Sequence, residues 1–252
     1  MSDELRYRRE ELHCTYDNTD IFGRLYIPER GEKPFPAVIC SPGYGCIGSS
    51  MKDIAVSLAE KGIIAYAFDF CGNSPYSKSS GKSTELSILT LQDNLRHVID
   101  MIGALDIADR ERIYLCGESQ GGFVSALTAA EMPQKIAGMF LIYPAFCIPD
   151  QWLAMDPETM KEPFPFMGDM MLSKAYYDGV PRYDVYEHIS AFDRPVFIYH
   201  GDADVLVDIS CGQRADKAFP NSTLTVIKGG GHGFEEEDRS FVIDDICKRL
   251  IN

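Results

Sequence analysis

The chain has 252 residues, of which 45% are hydrophobic and 25% charged, a balance typical of one globular domain with a substantial core. Its formal net charge of −14 argues against nucleic acid as a partner, because phosphate binding requires a basic surface. The N-terminus is charged and lacks the apolar run of a signal peptide, and no stretch approaches the roughly 18 apolar residues of a membrane span. We therefore expect a cytoplasmic protein without a membrane partner.

The eight cysteines contain no C-x-x-C pair. Cys40 and Cys116 lie inside apolar runs that are typical of buried strands. A buried free cysteine behaves as a small hydrophobe, and a reducing compartment keeps it in the thiol form. The sequence therefore predicts that all eight are reduced.

The chain opens with a predicted β-hairpin, in which residues 11–16 and 21–27 flank the turn-forming pair Asp17-Asn18. A Pro-rich connection follows, and apolar runs then alternate with helical segments. This alternation is typical of a parallel sheet covered by helices on both faces. The predicted buried strands are residues 37–40, 63–68, 113–116, 136–142, 196–199 and 224–227.

Four helices are predicted between and after these strands. The first covers residues 51–60 and stops before Gly62, and another covers residues 119–131 and stops before Pro133. Thr84 is predicted to cap a helix with an apolar stripe at Ile88, Leu91, Leu95, Val98 and Ile102. The last helix carries Val242, Ile246 and Leu250 at a spacing of four residues.

One region interrupts the alternation. It lies within the single domain of residues 1–252, at about residues 145–190, and we call it the insertion. A connection of this length is usually functional or forms a small subdomain. We interpret it as a lid over an active site, with a satellite core packed on the sheet as the alternative. It is rich in aromatic and methionine side chains, namely Trp152, Phe164, Phe166, Met167, Met170, Met171, Tyr176, Tyr177 and Tyr183.

The sharpest motif is G-x-S-x-G at residues 117–121, which follows a predicted strand and precedes a predicted helix. The chain must reverse sharply at Ser119, so side chains two positions away on either side would collide. Such a turn exposes the Ser119 hydroxyl at the carboxyl end of the sheet. It also presents the Gln120 amide to a developing oxyanion. Ser119 is therefore the predicted nucleophile.

A serine hydroxyl needs a general base, and the chain has five histidines. His232 is the predicted base, because it lies in a Gly-rich loop, residues 229–233, that follows the last strand. That loop can reach the turn at Ser119, and its glycines let the imidazole approach closely. Among the others, a surface or packing role is predicted for His97 and a structural one for His200, while His13 lies in the opening hairpin and His188 at the trailing edge of the insertion.

The acid that orients the base should lie between Ser119 and His232 in this type of site. Two aspartates follow the strand at residues 196–199, namely Asp202 and Asp204. Asp204 is the predicted acid, because it lies further out on the loop and is followed by apolar residues that can anchor it. Asp202 is interpreted as a turn-capping residue and remains the alternative acid.

Two further loop segments contain glycine, and the one at residues 41–46 is rich in it. The loop at residues 41–46, after the strand at residues 37–40, is predicted to supply a second oxyanion donor, the amide of Tyr44. The segment S-G-K-S-T at residues 80–84 resembles the end of a phosphate-binding loop. However, that motif requires a glycine where Tyr76 stands, so we interpret the segment as a surface loop and helix cap.

With these motifs, the whole chain resembles the α/β-hydrolase superfamily, and it is most similar to bacterial cinnamoyl and feruloyl esterases. The resemblance implies an eight-stranded, mostly parallel sheet and a Ser-His-Asp triad that needs no cofactor or metal. It also implies that an acidic residue and a tyrosine of the insertion bind the acyl group, for which Asp150 and Tyr176 are the candidates. Pro42-Gly43 departs from relatives that carry His-Gly in the oxyanion loop.

The function expected from these features is hydrolysis of a small-molecule carboxylic ester, with a feruloyl-type or other small to medium acyl group. A prolyl-peptidase-like enzyme and an acyltransferase are the alternatives that keep the same triad. A non-catalytic binding protein on the same fold is the alternative of another class, and it is disfavoured because all three triad residues are present. A homodimer is compatible with the sequence.

Overall fold

An eight-stranded β-sheet organises the protein, and the computed structural model describes residues 7–251. The strands run in the spatial order β1-β2-β4-β3-β5-β6-β7-β8. β2 is antiparallel to its neighbours β1 and β4, and the other neighbouring pairs are parallel. The bounds are β1 (Tyr7–Tyr16), β2 (Thr19–Pro28), β3 (Phe35–Ser41), β4 (Ile64–Phe68), β5 (Ala108–Glu118), β6 (Gly138–Ile142), β7 (Val196–Gly201) and β8 (Ser222–Ile227).

Helices cover both faces of this sheet, so the predicted α/β-hydrolase fold class is confirmed. Apolar side chains of α1 and α8 share one core cluster with one face of the sheet. Side chains of α2, α3 and α7 share a second cluster with the opposite face. The helices are α1 (Lys52–Glu60), α2 (Ile88–Gly103), α3 (Gln120–Glu131), α4 (Ile148–Leu153), α5 (Lys174–Asp178), α6 (Val185–Ile189), α7 (Ser210–Ala218) and α8 (Glu236–Ile251).

Most strand and helix bounds fall close to their predicted positions, and the start of α2 is the main correction. Thr84 lies in a short 3₁₀ helix, Ser83–Glu85, and does not cap α2. The buried Leu86 is extended, and Ser87 is the N-cap, with its Oγ accepting a hydrogen bond of 3.1 Å from the Thr90 amide. Burial of Leu86 therefore delays the helix by one turn, a tertiary effect that the local pattern does not contain.

The insertion contains α4, α5, α6 and a two-stranded ladder in which Phe164–Pro165 pairs with Met171–Leu172. Several of its large apolar side chains, Trp152, Leu172 and Tyr176 among them, are buried in the same cluster as α2 and α3, whereas Met167 and Tyr183 are exposed. Hydrogen bonds from Ser83 Oγ to the Met171 carbonyl and from Ser173 Oγ to the Thr84 carbonyl attach it to the loop before α2. The insertion is thus packed against the sheet rather than separate from it.

Two further features of the described residues are the character of the helices and the positions of the cysteines. Within residues 7–251, no helix combines the length and the apolar character needed to cross a bilayer. All eight cysteines lie in the described part of the chain as free thiols, with Cys40 and Cys116 fully buried in β3 and β5.

Candidate active site

The turn between β5 and α3 holds Ser119 in a strained conformation. Ser119 has φ 51° and ψ −118°, a region that residues other than glycine rarely adopt. A Cβ atom on Gly117 would lie 2.5 Å from the Gly121 carbonyl oxygen, and one on Gly121 would overlap with the carbonyl oxygens of Ser41 and Pro42. The two glycines of the motif are therefore required by the close approach of three backbone segments.

Hydrogen bonds join Ser119, His232 and Asp204 in one relay. His232 Nε2 lies 3.0 Å from Ser119 Oγ, and His232 Nδ1 lies 2.8 Å from Asp204 Oδ2. With Nδ1 protonated and donating to the carboxylate, Nε2 is free to accept the serine proton. The structure thus brings together the three residues that the sequence selected as nucleophile, base and acid.

Asp204 is held by backbone amides as well as by the imidazole. It is 7% exposed, and its second carboxylate oxygen accepts hydrogen bonds of 2.9 Å from the amides of Leu206 and Val207. Both oxygens of the buried carboxylate thus have hydrogen-bond partners, and these contacts fix the orientation of the carboxylate relative to His232. The anchoring expected from the apolar residues after Asp204 comes from these backbone amides, since of the three side chains only Val207 is buried, whereas Val205 and Leu206 are exposed.

Asp202 lies elsewhere in this loop. Its side chain is exposed, and Oδ1 accepts a hydrogen bond of 2.5 Å from the Gly229 amide. This contact ties the loop after β7 to the loop that carries His232. Gly201 strengthens the attachment, because a Cβ atom there would overlap with the Gly230 carbonyl group. Asp202 therefore connects the two loops through a contact between residues 27 positions apart, which differs from the local turn cap that the sequence suggested.

Within residues 7–251, the remaining four histidines contact residues other than Ser119. His13 pairs with Asp20, His97 stacks on Tyr16, and His188 lies 3.4 Å from the Leu127 carbonyl oxygen. His200 is fully buried beneath the acid loop, where its Nε2 donates to the Val207 carbonyl oxygen at 2.8 Å. Burial lowers the pKa of His200, so its imidazole is neutral and supports the turn at Asp204.

The two expected oxyanion donors lie on either side of Ser119. The Gln120 amide is the first of α3, and helix-start amides have no intrahelical acceptor. Gly43, next to Tyr44, packs so closely on the nucleophile that a Cβ atom there would lie 3.4 Å from Ser119 Cβ. Among residues 7–251, neither the backbone N–H of Tyr44 nor that of Gln120 has a hydrogen-bond acceptor. Both donors are therefore available to a ligand.

A cleft of about 550 Å³, including the space at its open mouth, lies above this relay. Its floor contains Ser119 and His232, and the acid loop contributes Leu206 and Val207. The insertion supplies much of the remaining wall, with side chains that are mainly apolar or aromatic. The wall residues from the insertion are Ala145, Cys147, Ile148, Gln151, Trp152, Phe166, Met167 and Tyr176.

The two residues that the resemblance implied for acyl binding differ in position. Tyr176 is buried and lines the cleft, with its hydroxyl group donating to Gln120 Oε1 at 2.6 Å. Asp150 is exposed and is not part of the lining, and its carboxylate lies 3.6 Å from Arg214. The cause is the face that α4 presents, because this helix buries Ile148 and Trp152 and turns Asp150 outward.

Sequence reasoning missed a charged cluster directly behind the nucleophile. Glu118, at the second position of the motif, is buried and pairs with Arg239 of α8. Arg239 also donates to both carboxylate oxygens of Asp53, at 2.8 and 3.0 Å. Burial raises the pKa of Glu118, while Arg239 acts in the opposite direction. A charged residue at the end of a buried strand indicates that a partner must exist, but not which one.

The sheet order and the strand–serine–helix turn define an α/β-hydrolase. The family model described as Hydrolase_4, serine aminopeptidase, S33, matches residues 32–177, which is more than half of the chain. The chain therefore belongs to this family and has the α/β-hydrolase fold.

Individual relatives are distant in sequence and similar in structure. Est1E from Butyrivibrio proteoclasticus, solved with ferulic acid bound, is 22% identical with a TM-score of 0.87, over 95% of this chain and 99% of that one. DcsB, solved with a substrate analogue, is 21% identical with a TM-score of 0.79, over 97% and 98% of the two chains.

A curated relative named as the carbamate hydrolase RutD, from Caulobacter sp. (strain K31), is 21% identical over 174 residues. The match covers 54% of this chain and 64% of the length of that relative. At these identities the similarity indicates a shared fold, and the substrates of these relatives are not assigned to this chain.

Proposed function

We propose that this protein is a serine carboxylic-ester hydrolase that acts through an acyl-enzyme. The observation that carries the proposal is the relay of Ser119, His232 and Asp204 at the floor of an open cleft. Ser119 Oγ attacks the ester carbonyl carbon as its proton passes to His232 Nε2. The alcohol leaves with that proton, and water activated by the same imidazole then releases the acid.

Charge develops at two places during this reaction. The imidazolium that forms on His232 is stabilised by Asp204, whose carboxylate is buried and held by two amides. The oxyanion of the tetrahedral intermediate is assigned to the Tyr44 and Gln120 amides, which have no other acceptor among the described residues. Donors that are already oriented need no rearrangement as charge appears, and this is usually a large part of the rate enhancement.

The acyl group that fits best is a planar aromatic acid of the hydroxycinnamoyl type. Trp152, Phe166 and Tyr176 form a continuous aromatic wall, with Trp152 ring centroids 4.9 Å from Phe166 and 4.5 Å from Tyr176. Such faces favour offset or edge contacts with a flat ligand. Est1E, with its bound ferulic acid, supports this choice at the level of a shared fold.

The family description also names an aminopeptidase, and the lining of the cleft argues against it here. An aminopeptidase must bind the ammonium group of its substrate, which requires a carboxylate or several acceptors in a desolvated site. Among the described residues that line the cleft there is no aspartate or glutamate. Acyl transfer to an alcohol uses the same relay and is the alternative that remains, whereas a non-catalytic protein has no need of an aligned relay.

The test is hydrolysis of methyl ferulate and short p-nitrophenyl esters by the wild type, Ser119→Ala and Ser125→Ala. Ser125 is the matched control, because its hydroxyl is buried in α3 and has no hydrogen-bond partner among the described residues. We expect Ser119→Ala to lose about 10⁴-fold or more in kcat/KM and Ser125→Ala to stay within a few-fold of the wild type.

A prolyl β-naphthylamide and an alcohol acceptor, added to parallel reactions, measure the peptidase and transferase alternatives. Turnover of the amide that exceeds turnover of every ester would contradict the esterase assignment. Turnover of the short esters without methyl ferulate would retain the esterase and reject the aromatic acyl group.

A further inference from the structure

A buried chain of hydrogen bonds connects the cleft wall to the oxyanion loop. Tyr176 Oη donates to Gln120 Oε1 at 2.6 Å, and Gln120 Nε2 donates to Asn73 Oδ1 at 2.9 Å. Asn73 Nδ2 then donates to the carbonyl oxygens of Gly43 and Cys46, at 2.9 and 3.0 Å. The exposed fractions of Asn73, Gln120 and Tyr176 are 0%, 1% and 2%. Three polar side chains are thus buried, and they form hydrogen bonds with one another and with the loop at residues 41–46.

The orientation of each amide in this chain is fixed by its neighbours. Two carbonyl oxygens face Asn73, so its nitrogen must point towards them and its oxygen towards Gln120. Gln120 must therefore present its nitrogen to Asn73 and its oxygen to the Tyr176 hydroxyl. Reversing any one amide would place like groups against each other in a buried site, which costs free energy.

Asn73 donates a hydrogen bond to the oxyanion loop, residues 41–46, at the peptide group that carries the expected oxyanion donor. The Gly43 carbonyl and the Tyr44 N–H belong to one planar trans peptide, in which they point in opposite directions. Holding the carbonyl inward on Asn73 therefore turns the Tyr44 N–H outward. The turn is closed by a hydrogen bond of 3.2 Å from the Cys46 amide to the Gly43 carbonyl, and Gly45 supplies the positive φ of 72° that it needs.

The same loop is also attached to the insertion through the Tyr44 side chain. Tyr44 Oη donates to the Phe166 carbonyl oxygen at 3.0 Å, and its ring meets Phe166 edge to face. Tyr44 is therefore held at its backbone by Asn73 and at its hydroxyl by the cleft wall. An acyl group that packs on Tyr176 contacts the first member of the hydrogen-bonded chain that ends at the Tyr44 peptide.

We infer that Asn73 and the Gln120 side chain are positioning residues that aim the Tyr44 amide at the oxyanion and couple it to the acyl-binding wall at Tyr176. This role rests on the proposed function, since it concerns the same site. Neither side chain touches the reacting atoms. Their loss should reduce the rate of chemistry at Ser119 with little change in the binding of the ground state.

The test compares Asn73→Leu with Asn94→Leu. Asn94 is also buried and uses both ends of its amide, accepting from the Cys71 amide and donating to Tyr16, away from the cleft lining. For each variant we would measure kcat and KM for an ester, and the rate at which a fluorophosphonate probe labels Ser119. Phosphonylation also develops charge on an oxygen, so it reports on the oxyanion donors without ester turnover.

We expect Asn73→Leu to lower kcat and the labelling rate by about 10- to 100-fold, with KM changed less than about threefold. Asn94→Leu should lose comparable thermal stability and stay within about twofold in both rates. Equal rates for the two variants would overturn the inference. If Asn73→Leu does not fold, Gln120→Met is the second variant. It keeps the backbone N–H of residue 120 and removes the side-chain amide, so the chain of hydrogen bonds is broken. Both rates should fall by about 3- to 10-fold.

Failure of the proposed function is recognised separately. A wild type that hydrolyses no ester, or an equally active Ser119→Ala, rejects the ester hydrolase whatever the asparagine variants do. If the wild type is active and the kcat and labelling rates of Asn73→Leu and Gln120→Met equal those of Asn94→Leu, only the positioning role is rejected.

Discussion

The carboxyl edge of the sheet and the insertion are held in place by different kinds of contact. At the edge, backbone groups meet directly, as where Gly121 lies against the Ser41 carbonyl group and Gly201 lies against Gly230. In the insertion, aromatic rings and side-chain hydrogen bonds dominate, as where Trp152 packs on Tyr176. Close backbone contacts leave little freedom to shift, whereas a wall of side chains can be repacked. Substitutions at the edge should therefore impair all substrates equally, and those in the insertion should discriminate among them.

The largest expected effect is at the acid. Asp204→Asn should lower kcat/KM for every ester by about 10⁴-fold, because the amide would select the wrong tautomer of His232. Asp202→Asn is the matched control, since its side chain bonds the Gly229 amide and does not reach His232. Steady-state kinetics on both variants would check this, and a strong loss in Asp202→Asn alone would reassign the acid.

The next effect concerns the charged cluster behind the nucleophile. Arg239→Met leaves Glu118 buried without its cation, which should lower the free energy of unfolding by about 3 kcal/mol. Glu118→Gln in the same background should restore part of the loss. Chemical denaturation of the two variants and the wild type measures this, and equal stability of all three would show that the cluster contributes nothing.

The same variant gives a pH dependence of known sign. Burial already raises the pKa of Glu118, and removal of Arg239 should raise it further. The folded state then binds a proton that the unfolded state releases, so stability should fall as pH rises from the ordinary glutamate pKa through the raised value. Denaturation of Arg239→Met at acidic and mildly alkaline pH checks this. Destabilisation that is larger at the acidic end would contradict it.

A close backbone approach provides the next prediction. Gly121→Ala would force a Cβ atom against the Ser41 and Pro42 carbonyl groups and should displace the oxyanion loop. We expect a loss of stability of about 1–3 kcal/mol, with lower kcat for all esters alike. Gly103→Ala is the control, since its nearest neighbour is the flexible end of Ile113 at 3.2 Å. Thermal unfolding and kcat should be measured together, and wild-type values for Gly121→Ala would show that the turn at Ser119 tolerates the added methyl group.

The smallest effect is expected in the insertion. Phe166→Ala should lower kcat/KM for methyl ferulate by about 10-fold, the scale of one lost apolar contact, and for p-nitrophenyl acetate by less than about threefold. The acetyl group is too small to reach the aromatic wall. Comparison of the two substrates tests whether the insertion selects the acyl group, and an equal loss for both would mean that it does not.

The sequence predicted the two regions unequally, and the reason is physical. Ser119, His232 and Asp204 occupy short segments whose glycines and strand ends follow from local geometry, so the pattern indicated which residues would meet. The partners of Gln120 and Glu118 come from residues 47 positions upstream and 121 positions downstream, namely Asn73 and Arg239. No local pattern indicates such pairs.

The same limit applied to Thr84 and Asp150. A capping residue was expected at Thr84, but burial of Leu86 moved the helix start to Ser87. Asp150 was chosen through a resemblance, and the face that α4 buries turned it towards Arg214. In both cases tertiary packing decided which side chain faces the site.

The role of Ser119 as the activated nucleophile is tested by the mass of the protein after reaction with a fluorophosphonate, followed by identification of the modified peptide. We expect one adduct in the wild type, located at Ser119, and none in Ser119→Ala. A wild type that takes up no adduct, or an adduct that persists in Ser119→Ala, would contradict Ser119 as the activated nucleophile.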